Sequence, residues 1–429
     1  MAQSFDEWKE WEKRWLTLAH AMDQLRPQLE PTDDSPPYIR TLRTMLDGLQ
    51  GFARAKFYFF YDGFRFTRQD NTPEYTVTLE QDSGYPPQYV FRAILDQASY
   101  DLEVIKRAAD QRESDDLKPY LEAADNLANQ ALQLARDLKL IDPGTGAITY
   151  FQKSTTIRVI PYAKVALIGV PLTAMSTDID YLAIPHEIGH YVFRHGKYND
   201  ERIWAYFRRA VARYPAWRYN WVEEIFSDVY GCLVGGPVMA LDFQDIQFEV
   251  TSDDFVLDDG HHPVPVLRPE IYFKVLEKTN QGNTKTVLSD HWTESKNTRG
   301  DPDVFTTQEG EVVELKNGGP KLENVVDKIV KMLVGARPRL TWLTWSDDTP
   351  NMSDVNGLYE LPNIAEIKHK KGLTEGVFPS KGDVQDLAVW LQAKLQRLTE
   401  PPRIVPDVWQ QLLFADGWAT KGPVKDPTP

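Results

Sequence analysis

The chain has 429 residues, a formal net charge of −15 and a single cysteine, Cys232. This length predicts two or three domains, and one cysteine excludes an intramolecular disulfide bond, which is typical of a reducing compartment. The acidic charge disfavours nucleic acid and anionic membranes as partners, and no run of 18 apolar residues predicts a membrane span. We therefore expect a cytoplasmic protein without a secretory signal, a membrane span or a nucleic-acid partner.

Residues 1–140 are predicted to form a mainly helical N-terminal region. Aromatic and apolar residues recur at helical spacing in its first helix, 5–29, and predict a packed helix face. This stripe consists of Phe5, Trp8, Trp11, Trp15 and Leu18. The remaining predictions for this region are helices at 39–61, 90–111 and 117–139, and loop with short strand at 62–88.

Residues 150–280 are predicted to form a separate core in which strands precede helices. The turn-rich sequence IDPGTGAITY (141–150) predicts a break before this core. The β-branched and apolar residues of 154–172 predict one or two strands of a small sheet. Helices are then predicted at 178–195, 200–214 and 220–235.

Residues 281–420 are predicted to form a C-terminal accessory region that combines helices and strands. Its first part, 280–320, is polar and rich in turn residues, which favours an exposed insertion or hairpin. Helices are predicted at 320–335 and 383–398. The tail, 421–429, is predicted to be disordered because it is rich in Pro and Lys and short of apolar residues.

The sequence AIPHEIGHYVFRHG (183–196) places His186, Glu187 and His190 in an H-E-x-x-H pattern on a predicted amphipathic helix. Residues four apart differ by about 40° in azimuth, so both imidazoles leave one helix face and can bind one metal ion, such as zinc (Zn²⁺). Glu187 is rotated by about 100° and lies beside that ion, where a general base is needed. The alternative is a pair of histidines at the core edge that hydrogen bonds satisfy.

A zinc site needs a further protein ligand, and NWVEEIFSDVYG (220–231) offers one. Glu224 and Asp228 are four residues apart on a predicted helix, so one carboxylate can bind the metal while the other accepts the N–H of a ligand histidine. Glu223 is the competing ligand. Glu224 is favoured because only Glu224 is followed by an acid four residues later.

These two motifs resemble those of the gluzincin metallopeptidases, whose third ligand is a Glu in an E-x-x-S/A-D arrangement. The resemblance implies that Glu224 is the third metal ligand and that Asp228 is the partner of His186. It also implies a small mixed or antiparallel sheet against the H-E-x-x-H helix, with an edge strand that binds extended substrate. The expected fold class is therefore α+β and mainly helical, with a minigluzincin-like core.

The sequence HHPVPVLR (261–268) is similar to the H-P-x-x-x-x-R element of the CaaX-protease-like and HtpX-like minigluzincins. The resemblance implies that His262 donates to the oxyanion of a tetrahedral intermediate and that Arg268 pairs with Asp228 or holds the motif in place. His261 is the alternative to His262. Members of that group span membranes, whereas no span is predicted here, so their substrates are not carried over.

The motifs together predict a zinc metallopeptidase of narrow specificity, with a protein or peptide substrate and a regulatory partner or ligand for the flanking regions. The alternatives are a zinc-stabilised binding or regulatory protein and a zinc hydrolase that acts on a non-peptide bond.

The remaining histidines have minor predicted roles. His195 is expected at the surface or behind a ligand, and the isolated His20, His291 and His369 are expected to be structural or exposed. Cys232 is predicted to lie in the core.

Overall fold

The computed structural model describes residues 5–65, 86–158, 160–175, 178–212, 216–248, 250–279 and 282–334. The predicted helix at 383–398, the predicted tail and His369 lie outside the described residues, as does most of the loop predicted at 62–88.

Three long helices form the N-terminal unit: α1 (Phe5–Leu25), α2 (Pro37–Arg65) and α3 (Pro87–Glu113). A 3₁₀ turn, Arg26–Leu29, continues α1. Three residues of the predicted stripe, Trp8, Trp11 and Trp15, are buried, and Trp8 makes edge contacts with Tyr61 of α2 and Phe91 of α3. The helix predicted at 117–139 is divided into α4 (Lys118–Ala131) and α5 (Gln133–Asp137).

A three-stranded sheet follows, formed by β1 (Gly146–Gln152), β2 (Thr156–Arg158) and β3 (Val165–Pro171) in the order β1-β3-β2. Strand β1 pairs parallel to β3, and β2 pairs antiparallel to it, with Ile157 opposite Ile168. The predicted break at 141–150 is therefore wrong in its second half, which belongs to β1. The turn ends at Gly144 and Thr145, after which residues 147–151 are buried continuously.

The sheet separates two hydrophobic cores. Side chains such as Ile148 and Leu167 pack among the aromatic residues of α1, α2 and α3. Side chains that point to the other face, such as Phe151 and Ile168, belong to a second core formed with α4, α5 and the helices that follow in the chain. This alternation is the two-residue period of a strand buried on both faces.

The H-E-x-x-H helix is α6 (Ile184–His195), and a 3₁₀ segment, Asp178–Ala183, replaces the first part of the helix predicted from 178. A short hairpin, β4 (Lys197–Tyr198) and β5 (Glu201–Arg202), leads to α7 (Ile203–Val211). The long helix α8 (Ala216–Phe248) bends at Gly236, whose positive φ of 62° suits a residue without a side chain.

Helices α6 and α8 cross at Gly189, where α6 has no room for a side chain. A Cβ on Gly189 would lie 2.6 Å from the Cα of Ser227 and 3.1 Å from its carbonyl oxygen. Real Cβ atoms do not approach backbone this closely, so the helix axes can be this near only because residue 189 is glycine. Gly189 lies between the two motif histidines, and this contact therefore determines how close α8 comes to them.

The last described elements are α9 (Arg268–Lys278), α10 (Gly282–Thr298), β6 (Val304–Thr306), β7 (Val312–Glu314) and α11 (Leu315–Leu333). The prediction of an exposed insertion at 280–320 is wrong for α10, which is a helix with Leu288, Trp292 and Ser295 buried on one face. The second part of that segment does form a hairpin, β6–β7.

The predicted mainly helical α+β class, with small mixed and antiparallel sheets, is confirmed. Within the described ranges, no helix has the length and apolar character needed to cross a membrane.

Candidate metal centre

Three potential metal ligands converge where α6 crosses α8. The Nε2 atoms of His186 and His190 are 3.1 Å apart. The two carboxylate oxygens of Glu224 lie 3.5 Å from His186 Nε2 and 3.4 Å from His190 Nε2. These three residues are the predicted ligands, and one ligand atom from each lies within 4.8 Å of the others.

The ring orientations leave both Nε2 atoms as electron-pair donors. His186 Nδ1 lies 3.0 Å from Asp228 Oδ1, and His190 Nδ1 lies 3.2 Å from Glu223 Oε1. Carboxylates accept protons, so a proton on Nδ1 of either neutral ring would face a carboxylate, and this tautomer would leave both Nε2 lone pairs free. Two lone pairs and a carboxylate then face one another, an arrangement that repels unless a proton or a cation lies between them.

The spacing and the donor set fit a small transition-metal ion. With zinc ligands at about 2.0–2.1 Å, the edge of a coordination tetrahedron is about 3.3 Å, close to the distances of 3.1 to 3.5 Å found here. Two imidazoles and one carboxylate would leave a fourth position of such an ion without a protein ligand, as in catalytic rather than structural zinc sites. His186 and His190 would hold the ion through Nε2, and Glu224 through its carboxylate.

The electrostatic environment also favours a positive charge at this point. Although burial opposes protonation, the carboxylates of Asp228 and Glu224 raise the pKa of His186 to about 10. Burial acts against ionisation of Glu224 as well, but both histidines and Arg268 keep its pKa well below the ordinary value.

Asp228 is fully buried and holds His186 from behind, as the resemblance implies. It accepts two hydrogen bonds of 2.9 Å from the guanidinium of Arg268 and one of 2.7 Å from the Tyr272 hydroxyl. Burial would raise the pKa of this carboxyl, but Arg268 and His186 lower it to about 2. Arg268 also donates to Glu224 Oε2 at 3.2 Å. One largely buried arginine thus fixes both the candidate ligand carboxylate and the carboxylate behind His186.

Glu223, the competing ligand, lies on the other side of His190. Its Oε1 contacts Nδ1 of that ring and accepts a 2.8 Å hydrogen bond from Nε of Arg194. Adjacent residues on a helix differ by about 100° in direction, so α8 can present Glu224 to the Nε2 atoms and Glu223 to the far side of one ring.

Glu187 leaves α6 beside the sheet. Its Oε2 accepts a 2.7 Å hydrogen bond from the backbone N–H of Ile157, in the edge strand β2. The predicted general base therefore contacts an outer strand of the sheet, and the resemblance implies that an edge strand of this sheet binds substrate.

His262 lies at the rim of the centre. Its Nε2 is 3.7 Å from Glu224 Oε2, and its Nδ1 is 2.6 Å from Asp259 Oδ2, a contact that raises the pKa of His262. The side chain remains 47% exposed. His261 contacts the same aspartate through its backbone N–H, so His262 is the one of the two that the structure places next to Glu224.

Among the described residues, His20, His195, His291 and Cys232 do not belong to the triad. His195 is partly buried and stacks on Tyr191 at 4.5 Å, and these two rings line a cavity of about 820 Å³ against the other side of α6. His195 is therefore partly buried in a cavity wall, where the sequence predicted a position at the surface or behind a ligand. His20 is exposed and His291 is partly buried. Cys232 is buried, as predicted.

Four contacts of the centre were not predicted from the sequence. Three are side-chain partners: Tyr272 of Asp228, Arg194 of Glu223 and Asp259 of His262. The fourth is the backbone N–H of Ile157, which donates to Glu187. Helical spacing could have indicated two of them. Tyr272 is four residues after Arg268 on α9, and Arg194 is four residues after His190 on α6, so each shares a helix face with a residue of the motif.

Comparison with known proteins adds no assignment, since no family model, curated protein or solved structure matches this chain.

Proposed function

We propose that this protein is a zinc-dependent endopeptidase that cleaves a narrow set of protein or peptide substrates. The observation that supports the proposal most directly is the spacing of the ligand atoms of His186, His190 and Glu224, which matches the edges of a tetrahedral site with one open position. The single buried cysteine is consistent with the cytoplasmic setting that is part of the proposal.

The protein side chains have distinct tasks in this proposal. A zinc ion, when bound, supplies Lewis acidity that polarises a carbonyl and acidifies a water molecule. Glu187 takes the proton of the attacking water and delivers a proton to the leaving amine. His262, held by Asp259, donates a hydrogen bond to the oxygen that gains negative charge in the transition state.

A peptide substrate is favoured over other hydrolysable groups by the sheet edge next to Glu187. Strand β2 is an outer strand of its three-stranded sheet, and Ile157 directs its N–H away from the ladder towards Glu187. An extended peptide that pairs with such an edge presents its backbone carbonyls in a fixed register. The carbonyl to be attacked would then lie between β2 and the triad.

The test measures metal content and cleavage in the same samples. We expect the zinc-loaded protein to generate new N-termini in a cell lysate. Glu187→Gln should retain zinc but lose cleavage, because the amide cannot take up a proton. Glu201→Gln, which changes a glutamate of the β4–β5 hairpin outside the centre, is the matched control. Zinc binding without new N-termini would contradict the peptidase and leave a binding role, and cleavage by Glu187→Gln at the wild-type rate would refute the assigned base.

A further inference from the structure

Each of the two motif histidines has its own carboxylate and its own arginine. Asp228 contacts Nδ1 of His186 and is held by Arg268. On the opposite side of the centre, Glu223 contacts Nδ1 of His190 and is held by Arg194. The resemblance implies the first group of three, whereas nothing in the motifs assigns the second.

We propose that Glu223 is the positioning residue for His190 and that Arg194 holds Glu223 in place. These three residues form the His190 side of the centre, and this side controls how long the metal ion is retained. This proposal rests on the proposed metal centre. A ligand histidine usually donates its second N–H to a carboxylate or carbonyl, which fixes the ring orientation and makes the other nitrogen a better ligand. Glu223 has the geometry for that task.

The contacts of Glu223 argue against a role as a ligand. Its Oε1 lies against Nδ1 of His190, while the ligand atom Nε2 is directed towards Glu224. Both oxygens of Glu223 also contact the guanidinium of Arg194. A carboxylate paired in this way would have to break an ion pair and cross the imidazole ring before it could bind the ion.

The two sides of the centre differ in exposure. Arg268 is 13% exposed and its aspartate is fully buried, whereas the side chain of Arg194 is 45% exposed. Salt screens the exposed pair strongly and the buried pair weakly. The His190 side is therefore the weaker of the two, and metal release should begin there and respond to ionic strength.

The experiment measures the zinc dissociation constant and the rate of zinc transfer to excess chelator for four variants, each checked for folding by circular dichroism. Glu223→Ala should weaken zinc binding by about 10- to 100-fold. Glu223→Gln should recover part of this loss, since the amide oxygen still accepts the N–H of His190. Arg194→Ala should accelerate zinc release by about two- to fivefold. Arg209→Ala, which breaks a comparable exposed pair with Glu201, should change neither quantity.

Two further measurements separate positioning from a general effect on folding. Zinc release from the wild type should accelerate as salt rises from 0.1 M to 1 M, where the screening length falls from about 10 Å to about 3 Å. Arg194→Ala should lose most of this salt dependence. In the cobalt-substituted protein, Glu223→Ala should alter the visible absorption bands and Glu223→Gln should restore them.

The possible failures are distinguishable. If folded Glu223→Ala binds zinc as tightly as the wild type with an unchanged cobalt spectrum, the positioning role is wrong although the metal centre stands. Equal salt dependence in Arg194→Ala and the wild type would overturn the role of Arg194. If the wild type itself binds no zinc, the proposed metal centre fails, and this inference fails with it.

Discussion

Replacement of Gly189 by alanine tests the contact that brings α8 to the motif histidines. The added Cβ would lie 2.6 Å from the Cα of Ser227. Optimal separation between carbon atoms is about 3.5 Å, so α6 and α8 must separate by about 0.9 Å at this point. Glu224, three residues before Ser227 on α8, must move with its helix relative to His186 and His190.

The expected magnitude combines two opposing effects. Alanine in place of glycine in a helix stabilises by about 1 kcal/mol, and the overpacked contact costs about 1–3 kcal/mol. The control variant is Gly51→Ala in α2, where a Cβ meets nothing within 4 Å and only the favourable effect applies. In urea denaturation, Gly189→Ala should therefore be less stable than Gly51→Ala by about 1–3 kcal/mol.

Metal binding provides the second measurement for the same pair of variants. A functional site tolerates displacements of about 0.5 Å before its geometry is lost, so Gly189→Ala should weaken zinc binding by about tenfold or more, and Gly51→Ala should not. If both variants were equally stable and bound zinc equally well, the close approach of α6 and α8 would not be what positions Glu224, and the geometric argument for the centre would be refuted.

Three further predictions concern individual groups and the ion. Tyr272→Phe removes a hydrogen bond to buried Asp228, so it should cost about 1.5–3 kcal/mol of stability and weaken zinc binding, whereas an unchanged unfolding curve would contradict the bond. Burial and nearby positive charges lower the pKa of His195 to about 4. The metal-free protein should therefore lose stability as pH falls from 6.5 to 4, because the unfolded chain binds the proton first, and this loss can reach about 1.4 kcal/mol per pH unit. His195→Phe, which retains the stack on Tyr191, should unfold with a smaller pH dependence over that window, and an identical dependence would argue against a depressed pKa. Removal of zinc by a chelator should lower the unfolding temperature, since free zinc at about 100 times its dissociation constant contributes about 2.7 kcal/mol, and His190→Ala should show no such change.

From the sequence, residues of the centre could be predicted only where helical spacing determines the direction in which a side chain leaves its helix. His186 and His190 share a face of any helix that contains them, and Glu224 and Asp228 do so on the next helix. The choice between Glu223 and Glu224 depended on the acid four residues further on. The sequence could not indicate that both glutamates contact histidine rings, since this depends on the angle and distance at which α6 crosses α8.

The predicted fold was wrong where the local amino-acid composition indicated a turn or loop but the segment is buried in the folded protein. Strand β1 follows a turn so closely that the glycines of 141–146 obscure the apolar residues after it. Helix α10 contains Thr, Ser, Asn and Gly, which have weak helix propensity. Its position is explained by Trp292, whose fully buried ring packs near Phe255 and whose indole N–H donates to Val266 O at 3.2 Å. The packing of a few large residues therefore determined the structure of α10.

The N-terminal helices contribute to the candidate centre through the edge strand β2. This strand has only three residues, so its own ladder provides few hydrogen bonds. Arg158 of β2 donates from Nε to buried Asp101 of α3 at 2.7 Å, and its guanidinium lies over Tyr100 at 4.1 Å. Its neighbour Ile157 contacts Glu187. Since α3 anchors the strand that contacts the proposed base, a change in how the N-terminal helices pack would reach the centre through β2. This connection gives the N-terminal region a physical means to influence a site whose proposed ligands all lie on α6 and α8.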